Sequence, residues 1–307
     1  MDGGPPVDGL PAVSVPAPTV PDMAPAALSP SRAADFMQCP LLYRFRVVDR
    51  LPEAPSPAAV RGTVVHAVLE RLFELPPERR TLQSASALVP GEWDRVREER
   101  PELAELFDAD PESVSSWLDG AEALLATWFR LEDPTRLEPA ERELYVETAL
   151  DDGLVLRGYV DRLDVAADGR MRIVDYKTGR APSEMFESKA LFQMKFYALV
   201  LWRLRQRLPS VLQLVYLGNG EVLSYSPDEA DLLATERKVK ALWDAIARAA
   251  RTGDWRPSPS RLCDWCDHHA LCPVKGGTTP PPPEDALERV VGAAASTPDT
   301  PGLDEDG

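Results

Sequence analysis

Residues 154–179 read LVLRGYVDRLDVAADGRMRIVDYKTG. Two runs in which apolar and polar residues alternate, 154–165 and 170–176, flank the turn signal Asp168-Gly169, and this predicts a β-hairpin. Upstream, 141–150 (ERELYVETAL) reads as another strand, turned into the hairpin by Asp151-Asp152-Gly153. Downstream come a long amphipathic helix over about 187–207, strands near 211–217 and 221–226 joined by Gly218-Asn219-Gly220, and a last helix over about 227–251. Before the strands, Ser29 caps and Pro30 starts a short helix that ends near Cys39-Pro40. A second helix over about 58–75 carries the apolar stripe Val65, Val68, Leu69, Leu72 and Phe73. Helical patterning continues over 101–131, with Pro101 and Pro111 as start signals. This order predicts an α/β fold, a mixed central sheet flanked by helices.

The chain has 307 residues, and 44% of them are hydrophobic, enough to bury an ordinary core. Acids outnumber bases 50 to 34, for a net charge of −16. Residues 1–29 contribute −3 and residues 281–307 contribute −6, which leaves −7 for the middle. Such a balance argues against coating nucleic acid through bulk positive charge, but it permits a local basic groove. Residues 1–28 are Pro- and Ala-rich without period, and 276–307 pass through four prolines into an acidic end. Both are expected to be disordered tails around one domain at 29–275. The chain shows no secretory signal and no membrane-length apolar run, and its four cysteines are too few for a disulfide scaffold. The expected setting is the reducing cytoplasm, with the cysteines as free thiols or metal ligands.

Along a strand Asp175 and Lys177 share a face, just before the Thr178-Gly179 break. Hairpin register decides whether Asp161 joins them. A three-residue loop centred on Asp168 sets Asp161 opposite Asp175. A two-residue Asp168-Gly169 loop turns Asp161 to the far side unless a bulge intervenes. Two close carboxylates repel, and a divalent cation removes the cost. An oxygen-ligand site of this kind suits Mg²⁺ or Mn²⁺.

In the contexts GYVDRLD and IVDYKTG, residues Asp161, Asp175 and Lys177 resemble the PD-(D/E)XK nuclease superfamily, in particular its RecB-like exonuclease branch. The resemblance implies a restriction-endonuclease-like core. It also implies a histidine on an upstream helix, matched by His66 in GTVVHAVLE, with Glu70 one turn on. His66, Asp161, Asp175 and the backbone carbonyl of Tyr176 are then the metal ligands, with Lys177 assisting. The branch carries a Q-x-x-x-Y element after the lysine strand. Gln193 and Tyr197 match it and would border the site or touch DNA. Arg162 and Asp164 read as structural.

Cys263-Asp-Trp-Cys266 with Cys272 forms a compact ligand cluster, and Cys39 is the only other cysteine. Spacing alone leaves Zn²⁺ and a [4Fe–4S] cluster open, and His268 or His269 could serve at a zinc site. Several RecB-like nucleases carry an iron–sulfur staple with one cysteine before the core and three after it. The resemblance therefore implies a [4Fe–4S] cluster on Cys39, Cys263, Cys266 and Cys272, joining the two ends of the domain. Closing a loop of more than two hundred residues carries a logarithmic entropy term of about 5 kcal/mol.

No Gly-Lys pair is present, so the chain has no Walker A loop and is not itself a helicase motor. Arg44, Arg46, Arg180, Lys189, Arg203, Arg205 and Arg207 are candidates for a single-stranded nucleic-acid path. Trp255 and Trp265 read as packing residues. The resemblance implies a metal-dependent DNA nuclease, a single-strand exonuclease of repair or recombination that works beside a separate helicase subunit. The competing reading is a non-catalytic DNA-binding or scaffolding subunit of a helicase–nuclease complex.

Overall fold

A computed structural model describes residues 27–107, 111–181 and 184–292. Six strands form one sheet, five of them in the order β2-β3-β4-β5-β6: β2 Glu141–Ala149, β3 Val155–Val165, β4 Met171–Lys177, β5 Val211–Tyr216 and β6 Glu221–Tyr225. The short β1, Ala27–Leu28, pairs in parallel with Val155–Leu156 at the start of β3. The β2-β3, β3-β4 and β5-β6 pairs are antiparallel, whereas β4 and β5 are parallel. Helix α6, Glu184–Arg205, makes the crossover that a parallel pair requires. The expected mixed sheet is present.

Helices cover both faces. In β4 and β5, Ile173, Leu212 and Leu214 belong to the core that includes α6 and α7 (Glu229–Thr252). Their neighbours Val174, Tyr176 and Val215 belong to a second core with α3 (Pro57–Leu72), α4 (Leu82–Glu99) and α5 (Pro111–Leu131). Strand alternation thus sorts the chain into three layers. The first helix, α1 (Pro30–Gln38), begins as expected: the Ser29 side chain accepts the Arg32 N–H and Pro30 takes the first turn. Short α2 (Pro40–Tyr43) follows and continues as a π-helical turn at Arg44–Val48.

Helix α4 carries Pro90 in its interior, where proline forfeits a backbone hydrogen bond, and the sequence reading did not foresee this helix. Burial of Ala85, Val89, Trp93 and Val96 on one face offsets that loss. Pro101–Glu105 is a 3₁₀ turn separate from α5, so 101–131 is not one helical run. Residues 27–28 are ordered as β1, which is too short to show a period. Residues 276–292 are not a disordered tail. Arg44 donates to the Pro280 carbonyl at 2.7 Å, and Arg289 donates to the Val48 carbonyl at 2.8 Å. Helix α8 (Ala286–Val291) buries Ala286 and Val290 against the first core. Prolines lose little chain entropy on ordering, so a proline run with anchored carbonyls can lie fixed on a surface. Residues 1–26 and 293–307 lie outside the described residues. Among the described residues no helix is long and apolar enough to cross a membrane.

Candidate active site

The β3-β4 hairpin carries the register that brings the two aspartates together. Val165 pairs with Met171 and Arg162 with Val174, so the loop is centred on Asp168. Gly169 closes it at φ 78°, and its N–H donates to the Ala166 carbonyl. A three-residue loop with a left-handed glycine is a regular hairpin solution. The next pair in this register is Asp161 with Asp175, but the ladder stops one step short of it. There the strands part, and the Asp161 Oδ2 accepts the backbone N–H of Tyr176 at 2.7 Å.

A second irregularity lies across from it. In β2, Arg142 pairs with Arg162 and Leu144 with Val160, which leaves Glu143 opposite Asp161. Glu143 has φ 43°, a left-handed conformation uncommon for glutamate. Val160 and Leu163, three residues apart, consequently lie in the same core, although strict alternation would separate them. The distortion frees Glu143 and Asp161 from the regular pleat. Their carboxylates lie 3.6 Å from the Nδ1 of His66 on α3, and the His66 Nε2 sits 3.0 Å from the Tyr176 carbonyl oxygen. Ligand atoms of His66, Glu143 and Asp161 all fall within 4.8 Å of one another.

Beside them is a triad of polar side chains. Lys177 Nζ lies 2.6 Å from the Asp175 Oδ2 and donates to the Gln193 Oε1 at 3.1 Å. The Gln193 amide donates to the Asp175 Oδ1 at 3.1 Å. Tyr197, one helical turn on, rests against Gly158: a Cβ there would stand 2.7 Å from the tyrosine ring. His66, Glu70, Glu143 and Lys177 open onto a cavity of about 730 Å³.

The electrostatics suit a cation. Burial and the charge of Asp175 push the Asp161 carboxyl up to about 7, against the pull of His66. Burial alone would lower His66, but contact with Glu143 and the charges of Asp161, Glu143 and Asp175 outweigh it and raise the imidazole to about 9. The cluster holds itself together with protons where a divalent ion would serve. Behind it, Arg162 is fully buried. It forms a fork with Glu132 at 2.7 and 2.8 Å, lies 3.2 Å from Asp164 and donates to the Tyr176 hydroxyl. This fixes the ring of the residue whose carbonyl meets His66.

The four cysteines, none of them in a disulfide, line one common cavity. Backbone N–H groups of Ser258 and Ser260 point at the sulfurs of Cys39 and Cys263, at 3.4 and 3.3 Å. Burial raises the Cys266 thiol, as do the charges of Cys272, Cys39 and Cys263. The histidines are engaged elsewhere, His268 with Glu53 at 2.9 Å and His269 with the Cys263 carbonyl.

The family model for the PD-(D/E)XK nuclease superfamily matches residues 27–273. The chain belongs to this superfamily. Among curated relatives, the Gene 69 protein of Mycobacterium phage D29 is 26% identical over 80% of this chain and 96% of its own length. Its counterpart in Mycobacterium phage L5 is 22% identical over the same shares. An ATP-dependent helicase/deoxyribonuclease subunit from Streptococcus equi subsp. zooepidemicus (strain H70) is 31% identical over 52% of this chain, a stretch that makes up 14% of that protein. A crystal structure from Eubacterium rectale, whose exonuclease assignment is itself provisional, aligns with a TM-score of 0.53 at 15% identity. It covers 79% of this chain and 88% of that one, a likeness of fold. The fold is the restriction-endonuclease-like α/β core of the PD-(D/E)XK superfamily.

In this cluster the expected residues Asp161, Asp175, Lys177, His66, Gln193, Tyr197 and the Tyr176 carbonyl stand together. Asp175 is held by Lys177 and Gln193 and lies outside the tight ligand group, and Glu143 takes its place there. Glu143 is absent from the sequence expectations, and only the β2-β3 register could have pointed to it. The basic residues fare differently. Arg44 is buried on Asp49 and Pro280; Arg46 pairs with Asp35 and Glu53; Arg203 pairs with Glu236; and Arg207 donates to the Asp168 carbonyl. They hold the fold together. The side chain of Lys189 lies outside the described residues. Trp255 packs as expected, stacked on Tyr43, but Trp265 is 79% exposed.

Proposed function

We propose that the chain hydrolyses DNA phosphodiester bonds with a bound Mg²⁺ or Mn²⁺, as a single-strand exonuclease acting in the cytoplasm in repair or recombination. The observation that carries this reading is the convergence of His66, Glu143 and Asp161 beside the Asp175–Lys177–Gln193 network. Imidazole and carboxylate oxygens with an open cavity in front suit these ions. His66, Glu143 and Asp161 would hold the ion, with Asp175 and the Tyr176 carbonyl as adjoining oxygen donors. When bound, it lowers the pKa of water and stabilises charge on a phosphoryl oxygen. Lys177 keeps its ammonium at the edge of the cavity, held by Asp175 and Gln193, where it can stabilise charge developing on phosphate oxygens. Tyr197 and Gly158 set the place of Gln193. The similarity to a helicase/deoxyribonuclease subunit supports a helicase partner and a DNA substrate.

For the cysteines we infer a [4Fe–4S] cluster. The four cysteines, one before the nuclease core and three after it, line one cavity. Amide donors to the sulfurs are a feature of such centres.

The test is digestion of end-labelled single- and double-stranded DNA, with free and blocked ends, in Mg²⁺ or Mn²⁺. The expected result is end-dependent cleavage of single strands that the Asp175→Ala protein loses while still binding DNA. Cleavage absent from both proteins, with binding intact, would overturn the enzymatic reading in favour of a scaffolding role.

A further inference from the structure

Beyond the metal centre lies a second depression of about 530 Å³, on the edge of β3. Strand β3 is unpaired on one side between Arg157 and Asp161. Strand β1 reaches only Leu156, and the β4 ladder begins at Arg162. The groove over this gap is lined by Arg32, Tyr145, Arg157, Tyr159, Gln193 and Tyr197. Gln193 links it to the catalytic network, because the same amide contacts Asp175 and Lys177.

Two features of the groove call for a ligand. Tyr159 is 53% exposed and forms an aromatic pair with its cross-strand neighbour Tyr145, ring centroids 5.2 Å apart. The Tyr145 hydroxyl is anchored on Glu147, so the platform is held from below. Near it the guanidiniums of Arg32 and Arg157 are close enough to repel. Burial lowers the Arg32 pKa, and the charges of Arg157 and Arg50 lower it further, with only Tyr43 opposing. Arg32 donates to the Ala27 carbonyl at 3.1 Å, a contact that leaves its charge unneutralised. Arg157 lies across from Glu147 on β2 and hydrogen-bonds the same Tyr145 hydroxyl that Glu147 anchors. Arg32 and Arg157 line the groove beside an exposed aromatic ring, so two guanidiniums face any chain of phosphates that lies in it. The strand rise puts Tyr159 about 7 Å and Arg157 about 13 Å along β3 from Asp161.

We propose that this groove is the track for single-stranded DNA entering the metal centre, with one nucleobase stacked on Tyr159 and the neighbouring phosphates held by Arg157 and Arg32. The proposal deepens the nuclease reading and rests on it for the direction of the track. A base whose partner strand is absent offers its face to tyrosine, whereas a duplex keeps its bases stacked on each other, so the groove selects single strands.

The test is fluorescence anisotropy of the full chain with a labelled oligothymidylate and with a duplex of equal length, in EDTA so that cleavage does not intervene. Tyr159→Ala should weaken single-strand binding about tenfold and leave duplex binding unchanged, and Tyr159→Phe should restore it. Arg157→Gln should flatten the salt dependence of single-strand binding by about 0.7 in the log–log slope, one phosphate contact. Unchanged melting transitions show that the variants fold. A Tyr159→Ala protein that binds single strands like the parent, or that loses single-strand and duplex binding equally, overturns the track. If the parent cleaves no DNA yet loses single-strand binding selectively in Tyr159→Ala, the nuclease reading fails and the track stands. If the parent cleaves and Tyr159→Ala binds normally, the track fails and the nuclease reading stands.

Discussion

The Asp161 carboxylate accepts the Tyr176 backbone N–H at 2.7 Å, standing where the carbonyl of a neighbouring strand would otherwise stand. One side chain thus closes the parted ladder and faces the proposed metal. These two duties separate by substitution. Asp161→Asn keeps an acceptor for the N–H, whereas Asp161→Ala leaves it unsatisfied at a cost of about 1–3 kcal/mol. Both should lower cleavage by more than about 100-fold. Thermal melting alongside digestion checks this: the asparagine protein should melt near the parent and the alanine protein below it.

Metal binding should release protons. His66 stands near 9 and Asp161 near 7 in the ion-free protein, and each must be deprotonated to act as a ligand. Mn²⁺ affinity should therefore rise steeply from pH 6 to pH 8. Both folded pKa values lie above the ordinary ones, so their contribution to stability is fully present below the ordinary values and fades as pH rises through 7 and then 9. Mn²⁺ should consequently raise the melting temperature more at pH 8 than at pH 6. Titration calorimetry in buffers of differing ionisation enthalpy measures the protons, and pH-independent affinity would contradict the assignment.

Arg162 is a buried charge with three partners, Glu132, Asp164 and the Tyr176 hydroxyl. Arg162→Ala would strand the Glu132 carboxylate and should cost about 3–5 kcal/mol. Lysine, lacking the planar fork, should rescue only part of this. Denaturant unfolding of the two variants gives the comparison.

Gly158→Ala would set a methyl 2.7 Å from the ring of Tyr197. Overpacking of this kind costs about 1–3 kcal/mol. The larger effect should be kinetic, because Tyr197 and Gln193 share a helix face with the Lys177 network. The expected outcome is a fall in kcat, read from steady-state digestion.

The cluster prediction is independent of these. Cys266→Ala should lose iron from anaerobically purified protein and lower its melting transition. Loss of iron with unchanged melting would refute a stapling role.

What the sequence made legible is what rests on short-range rules. The alternation of 171–177, the turn at Asp168-Gly169 and the cap at Ser29 are local, and each forms as its residues dictate. His66, Gln193 and Tyr197 are expectations of the family resemblance, with i,i+4 spacing adding only that Gln193 and Tyr197 share a helix face. Glu143 could not be placed, since nothing about a glutamate announces a left-handed backbone; the strain there is imposed by the elements around it. The arginines were misread for a related reason. Composition shows that Arg44, Arg46 and Arg203 are basic, but only the tertiary fold reveals the acids and carbonyls that neutralise them. The proline-rich 280–283 run looked unable to order because its anchor, Arg44, lies 236 positions earlier in the chain.

That anchor bears on how the molecule is made. Arg44 and Val48 leave a ribosome 236 and 241 residues ahead of their partners Pro280 and Arg289. The first helices must wait, unlocked, until more than two hundred further residues have been made. A nascent chain stalled before residue 280 should therefore be open to proteases at its beginning, not at its growing end.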